Sequence, residues 1–156
     1  MQISVIIKTY NWPEALSLVL KSLDKQKTNI KFEVVIADDG SDARTIDLIN
    51  NLKTNLNYPL KHVWHEDRGF RASKILNKAI TQAKGDFCVF TDGDCICPKN
   101  FVQKHAKLAE KKFFTSGSRI LISEKYSKKI TQQKDYFKDF SLSNMIKLRF
   151  TKNCNR

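Results

Sequence analysis

Short apolar runs rich in β-branched residues alternate along this chain with longer segments whose apolar residues recur at helical spacing. The runs at 3–8, 32–37, 60–65 and 87–94 predict strands, and the segments 13–26, 42–55, 71–84 and 98–112 predict helices. Strands that are almost continuously apolar and separated by helices are typical of a parallel sheet covered on both faces. The sequence therefore predicts an α/β fold, with a mostly parallel sheet and helices on both faces.

Three of these strands end in polar segments. The segments are Thr9-Tyr10-Asn11, Asp38-Asp39-Gly40-Ser41 and Thr91-Asp92-Gly93-Asp94. Open parallel sheets bind ligands at the carboxyl ends of their strands, so these residues are expected to share one site. No Gly-x-Gly-x-x-Gly segment follows the first strand and no P-loop lysine motif occurs, which argues against a dinucleotide cofactor and a P-loop enzyme.

Asp92 and Asp94 are the strongest candidates for a metal site. Carboxylates at i and i+2 of an extended chain face the same way, and Gly93 allows the backbone to bend toward one ligand. Oxygen ligands suit Mg²⁺ or Mn²⁺, which keep positions open for water and phosphate. Asp-Gly is also a common turn dipeptide, so the three residues alone support either interpretation.

Length and composition predict a globular protein. At 156 residues the chain fits one core, no apolar run approaches the roughly 20 residues of a membrane helix, and the N-terminus resembles a first strand rather than a signal peptide. The four cysteines lack disulfide or zinc spacing, which favours a reducing, cytosolic environment, and Cys88 is expected to be buried in its strand.

The net charge of +12 resides mostly after residue 104. It indicates either an anionic partner or a solvated lysine-rich face.

Further local expectations concern helix and strand ends. Gly85 is expected at the C′ position of the third helix, and Pro98 at the start of the fourth. His105 is expected to be a core or boundary residue. Residues 113–122 resemble one or two short strands, and a basic, aromatic-containing tail follows Ser123. The predicted division is a domain at 1–122 and an incomplete region at 123–156.

Four motifs in order resemble the nucleotide-binding part of family 2 glycosyltransferases. They are VIIKTYN (5–11), VIADDGS (35–41), Arg71 six residues before Asn77, and FTDGD (90–94). The resemblance covers residues 1 to about 122, and the Asp-Gly-Asp-Cys version is similar to bacterial enzymes of surface polysaccharide or lipopolysaccharide synthesis. It implies the Rossmann-like GT-A fold and the use of nucleotide-activated sugars.

The resemblance also implies residue roles. Thr9 and Tyr10 would line the nucleobase pocket, Asp39 would accept a hydrogen bond from the base (uracil N3–H in a UDP-sugar), and Asp38 would support that turn. Arg71 would lie near the base or the phosphates. Asp92 would face the ribose or a metal-bound water, and Asp94 would ligate Mn²⁺ or Mg²⁺.

Structural interpretations of the same residues stay open. The Asp39 segment suits a turn and a helix N-cap, Tyr10 suits the edge of a core, and Arg71 suits an exposed first helical turn. Arg68 competes with Arg71 for a phosphate contact.

The chain departs from the family pattern at two points. Many members carry a third aspartate where Cys95 stands. The acceptor half, which supplies the catalytic base, lies further along the chain in this family, and the carboxylates after Ser123 (Glu124, Asp135 and Asp139) lack the family's Glu-Asp setting. No base is therefore assigned, and the expectation is a chain without its acceptor half.

The leading hypothesis is a metal-dependent glycosyltransferase that moves a sugar from a UDP-sugar to a surface glycan or a lipid-linked acceptor. It is expected in the cytoplasm, with a peripheral contact of the segment 135–150 on the inner membrane face; packing of that segment on an acceptor half is the alternative. A nucleotide-sugar-binding remnant without transfer activity is the second hypothesis. A basic nucleic-acid-binding module is the weakest, because acidic strand ends repel phosphates.

Overall fold

The computed structural model describes residues 1–132 and 142–154 of the chain. It separates into two compact units, Met1–Thr115 and Ser116–Arg156. The sequence-based division lay a little later, after residue 122.

The first unit contains four strands alternating with four helices. In chain order they are β1 (Gln2–Thr9), α1 (Pro13–Asp24), β2 (Lys31–Asp38), α2 (Ala43–Lys53), β3 (Leu60–Trp64), α3 (Ala72–Gln82), β4 (Phe87–Asp92) and α4 (Phe101–Leu108). Pro13 occupies the first helical position of α1, and the Asp42 side chain caps α2 by accepting from the Arg44 N–H. The four predicted strands and four predicted helices are thus present, with ends shifted by a few residues.

The sheet has the order β3-β2-β1-β4, and every neighbouring pair of strands is parallel. The register pairs Thr9 with Asp38 and Lys8 with Asp92, so the carboxyl ends of three strands lie side by side. The prediction of a parallel α/β fold is confirmed. This register brings the three polar strand ends to one edge of the sheet.

Helices cover both faces of the sheet. On one face, Ile3, Val5 and Ile7 of β1 pack in a large core with apolar residues of α1, α2 and α4. On the other face, Ile6 and Val35 pack against Ile75 and Ala79 of α3. Burial of this alternating set is the main stabilising contribution to the unit.

The prediction that Cys88 is buried in its strand is wrong, because Cys88 is exposed. Phe90, on the same side of β4, is 53% exposed, whereas Val89 on the opposite side is buried. The reason is the position of α3, which packs mainly on β1, β2 and β3 and leaves that side of β4 uncovered among the described residues.

Two expected helix ends are also wrong. Helix α3 stops at Gln82 with Ala83 as its cap, so Gly85 lies beyond the C′ position. A Cβ at Gly85 would lie 2.5 Å from the Ser4 nitrogen, so close approach to β1 explains this glycine. Helix α4 starts at Phe101 rather than at Pro98, since the Gln26 side chain contacts both the Pro98 carbonyl and the Val102 N–H. His105 is half-buried in α4, with its ring 4.5 Å from that of Phe101.

Residues 113–121 form no strand in the described part of the chain, contrary to the sequence-based expectation. Phe113 and Phe114 are 70% and 93% exposed, and this segment pairs with none of the described strands, without which an isolated strand is not stable. In the second unit, Ile122 forms an isolated bridge with Cys154. Helices α5 (Glu124–Thr131) and α6 (Leu142–Phe150) replace the irregular tail, and Ser123 caps α5. Asp135 and Asp139 lie outside the described residues.

None of the described helices has both the length and the apolar character needed to cross a bilayer.

Candidate donor-binding site

A cavity of about 440 Å³ lies at the carboxyl ends of β1 and β4, next to the loop that follows β2. Its lining contains five of the predicted site residues, namely Thr9, Tyr10, Asp39, Asp92 and Asp94. The other lining residues are Lys8, Trp12, Asp67, Gly69, Phe70, Ala72 and Gly93. The cavity therefore combines four carboxylates with three aromatic rings and one ammonium group.

The segment after β1 is fixed to two other loops. Asn11 adopts a positive φ of 46°, its N–H donates to Ser41 Oγ (2.9 Å), and its Oδ1 accepts from the Asp42 N–H (2.7 Å). The Tyr10 hydroxyl donates to Asp67 Oδ2 (2.8 Å), and this hydrogen bond to a carboxylate raises the pKa of Tyr10. Tyr10 is half-exposed, so its ring forms part of the cavity wall instead of the core.

Asp38 and Asp39 face different surroundings. Asp38 is fully buried: its Oδ1 accepts from the Ser41 N–H (2.8 Å), and its Oδ2 lies 2.8 Å from His62 Nε2. Asp38 does not line the cavity. These contacts order the turn in which Gly40 has a φ of 98°, a backbone conformation that favours glycine.

Asp39 borders the cavity, although only 5% of its surface is exposed. Its Oδ1 lies 2.7 Å from His65 Nε2, and its Oδ2 accepts from the Arg71 N–H (3.0 Å). A carboxylate offers about four acceptor positions, so each oxygen can still accept a donor from a ligand. Asp39 is thus held in place by two protein groups while it keeps acceptor capacity.

A tight turn after β4 gathers three potential metal ligands. The Cys95 N–H donates to the Asp92 carbonyl (3.1 Å), and one ligand atom from each of Asp92, Asp94 and Cys95 lies within 4.8 Å of the others. Gly93 is required here, because a Cβ would lie 2.9 Å from Thr9 Oγ1 and 3.0 Å from the Lys8 carbonyl oxygen. Two carboxylates and a sulfur atom fit a divalent cation that accepts both oxygen and sulfur.

Lys8 and the two carboxylates determine the charge at this turn. Lys8 Nζ forms an ion pair with Asp92 Oδ1 at 3.0 Å, and both side chains are partly exposed. Burial, followed by the nearby Asp94 carboxylate, raises the pKa of the Cys95 thiol. The turn therefore has net negative charge that a bound cation would offset.

Arg71 is not among the residues that line the cavity. Its guanidinium donates to the Glu66 carbonyl oxygen, and its buried Nε has no hydrogen-bond partner in the described structure. The competing residue, Arg68, is exposed and pairs with Glu66 at 2.7 Å. Helix α3 begins only at Ala72, so the backbone of Arg71, and not its side chain, contacts the site through Asp39.

Sequence reasoning missed the loop after β3. Asp67, Gly69 and Phe70 line the cavity, and His65 contacts Asp39. The sequence did contain a signal for this loop: the segment between β3 and α3 is charged and contains a glycine, so it is a fourth polar strand end. Lys8 was missed for a different reason: its side-chain contact with Asp92 depends on the pairing of β1 with β4.

Comparison with known proteins gives the family. Residues 4–155 match the family model described as Glycosyl transferase family 2. The chain belongs to this family. The resemblance drawn from the four motifs is thereby confirmed.

Curated relatives of the family 2 chain are bacterial glycosyltransferases. The uncharacterized glycosyltransferase YfnE of Bacillus subtilis (strain 168) is 34% identical over 110 residues, which cover 70% of this chain and 27% of YfnE. Hyaluronan synthase of Pasteurella multocida is 35% identical over 108 residues, which cover 69% of this chain and 11% of that enzyme. The chain thus spans less than a third of these relatives.

Solved structures agree with the fold. Staphylococcus aureus TarS 1–349 in complex with UDP-GlcNAc aligns with a TM-score of 0.59 and 32% identity, covering 69% of this chain and 30% of that structure. The mannosyltransferase PcManGT from Pyrobaculum calidifontis, in complex with GDP-Man and Mn²⁺, aligns with a TM-score of 0.59 and 28% identity over 70% of this chain and 32% of that chain. The GT-A assignment of the fold is confirmed by these neighbours.

Proposed function

We propose that this chain forms the donor-binding part of a glycosyltransferase that uses a UDP-sugar together with Mn²⁺ or Mg²⁺. The observation that carries the proposal is that one cavity is lined by Asp39, which follows β2, and by Asp92 and Asp94 at the end of β4, with β1 between these two strands. A nucleotide sugar presents a base with N–H donors at one end and a charged diphosphate at the other. The cavity offers a matching acceptor and a matching metal-ligand pair.

The base end of the proposed donor lies near Asp39 and Tyr10. The exposed Tyr10 ring provides an apolar surface for the flat base, and Asp39 accepts its N–H. The hydrogen bonds from the Arg71 N–H and His65 keep the carboxylate from rotating away. Asp38 contributes by ordering the same turn, and Thr9 borders the space between the two ends.

The diphosphate end of the donor lies near Asp92 and Asp94. A divalent cation held by these carboxylates would offset the charge of the departing nucleoside diphosphate. Lys8, which pairs with Asp92 at 3.0 Å, can turn its ammonium group to a phosphate when a cation takes its place. We assign Arg71 a role in binding through its backbone N–H, with a phosphate contact of its guanidinium dependent on release from Glu66.

The proposed acceptor is a surface glycan or a lipid-linked glycan at the inner face of the membrane. Support comes from relatives that are named as a hyaluronan synthase and a poly(ribitol-phosphate) β-N-acetylglucosaminyltransferase. The membrane contact is proposed for the segment 135–150, whose sequence mixes basic and bulky apolar residues; residues 133–141 lie outside the described part of the chain.

Calorimetric titration of the purified chain with UDP tests the proposal. With Mn²⁺ present the chain should bind UDP, and with EDTA the affinity should fall strongly. GDP serves as the matched ligand with the same diphosphate and a different base, and we expect it to bind less tightly. Equal UDP affinity in Mn²⁺ and EDTA would contradict the role of Asp92 and Asp94, and a preference for GDP would contradict the UDP assignment.

A further inference from the structure

We propose that Cys95 supplies a sulfur ligand to the cation held by Asp92 and Asp94, so that this site binds sulfur-accepting cations such as Zn²⁺, Co²⁺ and Cd²⁺ and prefers Mn²⁺ to Mg²⁺. The inference rests on the metal-dependent donor binding proposed above. It adds the identity of a third ligand and the class of metal that this ligand selects.

The turn geometry supports the sulfur ligand. Cys95 Sγ lies 3.5 Å from Asp94 Oδ1, and all three candidate ligand atoms lie within 4.8 Å of one another. In a tetrahedral shell with metal–oxygen and metal–sulfur distances of about 2.1 and 2.3 Å, the two ligand atoms are about 3.6 Å apart. The Cys95–Asp94 pair, in which the thiol donates to the carboxylate, already has about this separation.

Backbone contacts hold the three residues in this arrangement. The Gly93 N–H donates to the Lys8 carbonyl (2.7 Å), and the Cys95 N–H donates to the Asp92 carbonyl (3.1 Å). The first hydrogen bond fixes the turn to the end of β1, and the second closes the turn itself, before any cation arrives. The site therefore needs little rearrangement to bind one, which favours affinity.

Sulfur changes which cations the site accepts. Mg²⁺ prefers oxygen ligands throughout its shell, whereas Zn²⁺, Co²⁺ and Cd²⁺ bind thiolate well and Mn²⁺ is intermediate. On coordination the Cys95 thiol loses its proton to solvent and forms the metal–sulfur bond, with no change of oxidation state. The predicted order of affinity thus places Mg²⁺ last.

The other cysteines of the first unit provide controls. Cys97 is only 3% exposed, its Sγ is directed to the Cys95 carbonyl (3.6 Å), and burial raises its pKa to about 12. Cys88 lies exposed on β4, and its thiol belongs to no described cluster of metal-ligating side chains. Only Cys95 among these three belongs to the ligand cluster at the turn.

The test is titration of the purified chain with Co²⁺ in the presence of UDP and a non-thiol reductant, followed by absorption spectroscopy and calorimetry. We expect a thiolate-to-cobalt charge-transfer band in the near ultraviolet for the wild type and for Cys88→Ser. Cys95→Ser should lose the band and bind Cd²⁺ at least roughly tenfold more weakly, because loss of even an outer-shell partner of a metal ligand typically costs about 10–100-fold in affinity. Cys95→Asp should lack the band but bind Mg²⁺ more tightly than the wild type.

The outcomes separate this inference from the proposed function. Co²⁺ binding without the band, or a band that persists in Cys95→Ser, would overturn the sulfur ligand while leaving the Asp92–Asp94 site intact. Absence of any cation binding in the presence of UDP would overturn both the inference and the proposed metal dependence. Loss of the band in Cys95→Ser with Mn²⁺-supported UDP binding retained would support both.

Discussion

At the scale of single residues, neighbouring side chains of similar chemistry serve different purposes. Asp38 and Asp39 are adjacent, yet Asp38 is enclosed by His62 and the Ser41 N–H, whereas Asp39 faces the cavity. Successive residues at the end of a strand point to opposite sides, which accounts for this division. The fully buried carboxylate orders the turn, and its neighbour is available to a ligand.

Asp94→Asn should weaken Mn²⁺-supported UDP binding by at least roughly tenfold, the effect of impairing a metal site, and should leave the melting temperature unchanged. The physical reason is that Asp94 lies in a loop and is absent from both apolar cores. Calorimetry with Mn²⁺ and thermal denaturation measure the two effects. Asp47→Asn, an exposed substitution on α2, is the matched control. A sharp fall in melting temperature with UDP affinity preserved would identify Asp94 as a structural residue.

The sequence predicted the position of the site better than it predicted the direction in which the side chains of the site point. Thr9, Asp39 and Asp94 share a cavity because each lies at or just after the end of a strand of one parallel sheet, a pattern visible in the sequence. Arg71 was placed near the ligand by its motif, but its guanidinium contacts Glu66. The direction of a long side chain depends on contacts between distant segments, which no local pattern encodes. The binding roles of these residues stay predictions.

At the scale of elements, apolar runs in the sequence predict strands and helices correctly, whereas the position of a glycine does not by itself predict its structural role. The four strands and four helices of the first unit follow from apolar periodicity. Gly85 suggested a helix cap, although its actual role is close packing on Ser4 of β1. Residues 113–121 had strand-like composition, but a strand needs a neighbour to accept its hydrogen bonds. The composition of a segment indicates its local backbone preference. Strand pairing and the close approach of one backbone to another depend on the arrangement of the whole sheet.

Glu33 of β2 contacts β1, β3 and the loop before β4, and its charge should contribute to stability. Burial by itself raises the pKa of Glu33, but hydrogen bonds from Lys61 Nζ, the Lys84 N–H and Ser4 Oγ outweigh it and hold the pKa below its ordinary value. Glu33→Gln should therefore lower the free energy of unfolding at pH 7 by about 1–3 kcal/mol. Urea denaturation measures the change, with the exposed Glu110→Gln as control.

The effect of Glu33→Gln should depend on pH. Because the folded pKa lies below the unfolded value of about 4.3, the contribution of the charge is complete above about pH 5 and is lost as the pH falls through the folded pKa. The difference in unfolding free energy between wild type and variant should shrink in acid. A difference that stays constant down to pH 3 would show that shape, and not charge, makes Glu33 important.

Gly85→Ala should destabilise the first unit by about 1–3 kcal/mol, the usual cost of overpacking. The added Cβ would lie 2.5 Å from the Ser4 nitrogen, and that backbone atom is fixed in the central strand β1. Gly117→Ala is the matched control, since no heavy atom lies within 4 Å of its Cβ position. The midpoint of urea denaturation should fall for the first variant only, and equal midpoints would contradict the packing explanation.

At the scale of the whole molecule, donor binding and sugar transfer make different demands. All residues that line the cavity belong to the unit Met1–Thr115. The chain covers less than a third of the matched relatives described above. The proposed donor binding needs only the cavity, but transfer would also require a base and a surface that positions the acceptor hydroxyl.

The 156-residue chain by itself should bind a UDP-sugar and transfer little or no sugar to an acceptor. General-base assistance contributes roughly 10²–10⁴-fold to rate, acceptor positioning contributes further, and no residue of this chain is assigned to either task. Slow hydrolysis of the donor is still expected, because the cavity can hold the cation that stabilises the departing diphosphate. The measurement is a time course with labelled UDP-glucose, UDP-galactose and their N-acetyl forms, using a glycan or lipid extract as acceptor and EDTA as control. Robust, EDTA-sensitive transfer would contradict this prediction and make Glu124, Asp135 and Asp139 the candidates for the base, to be separated by single substitution to the corresponding amide.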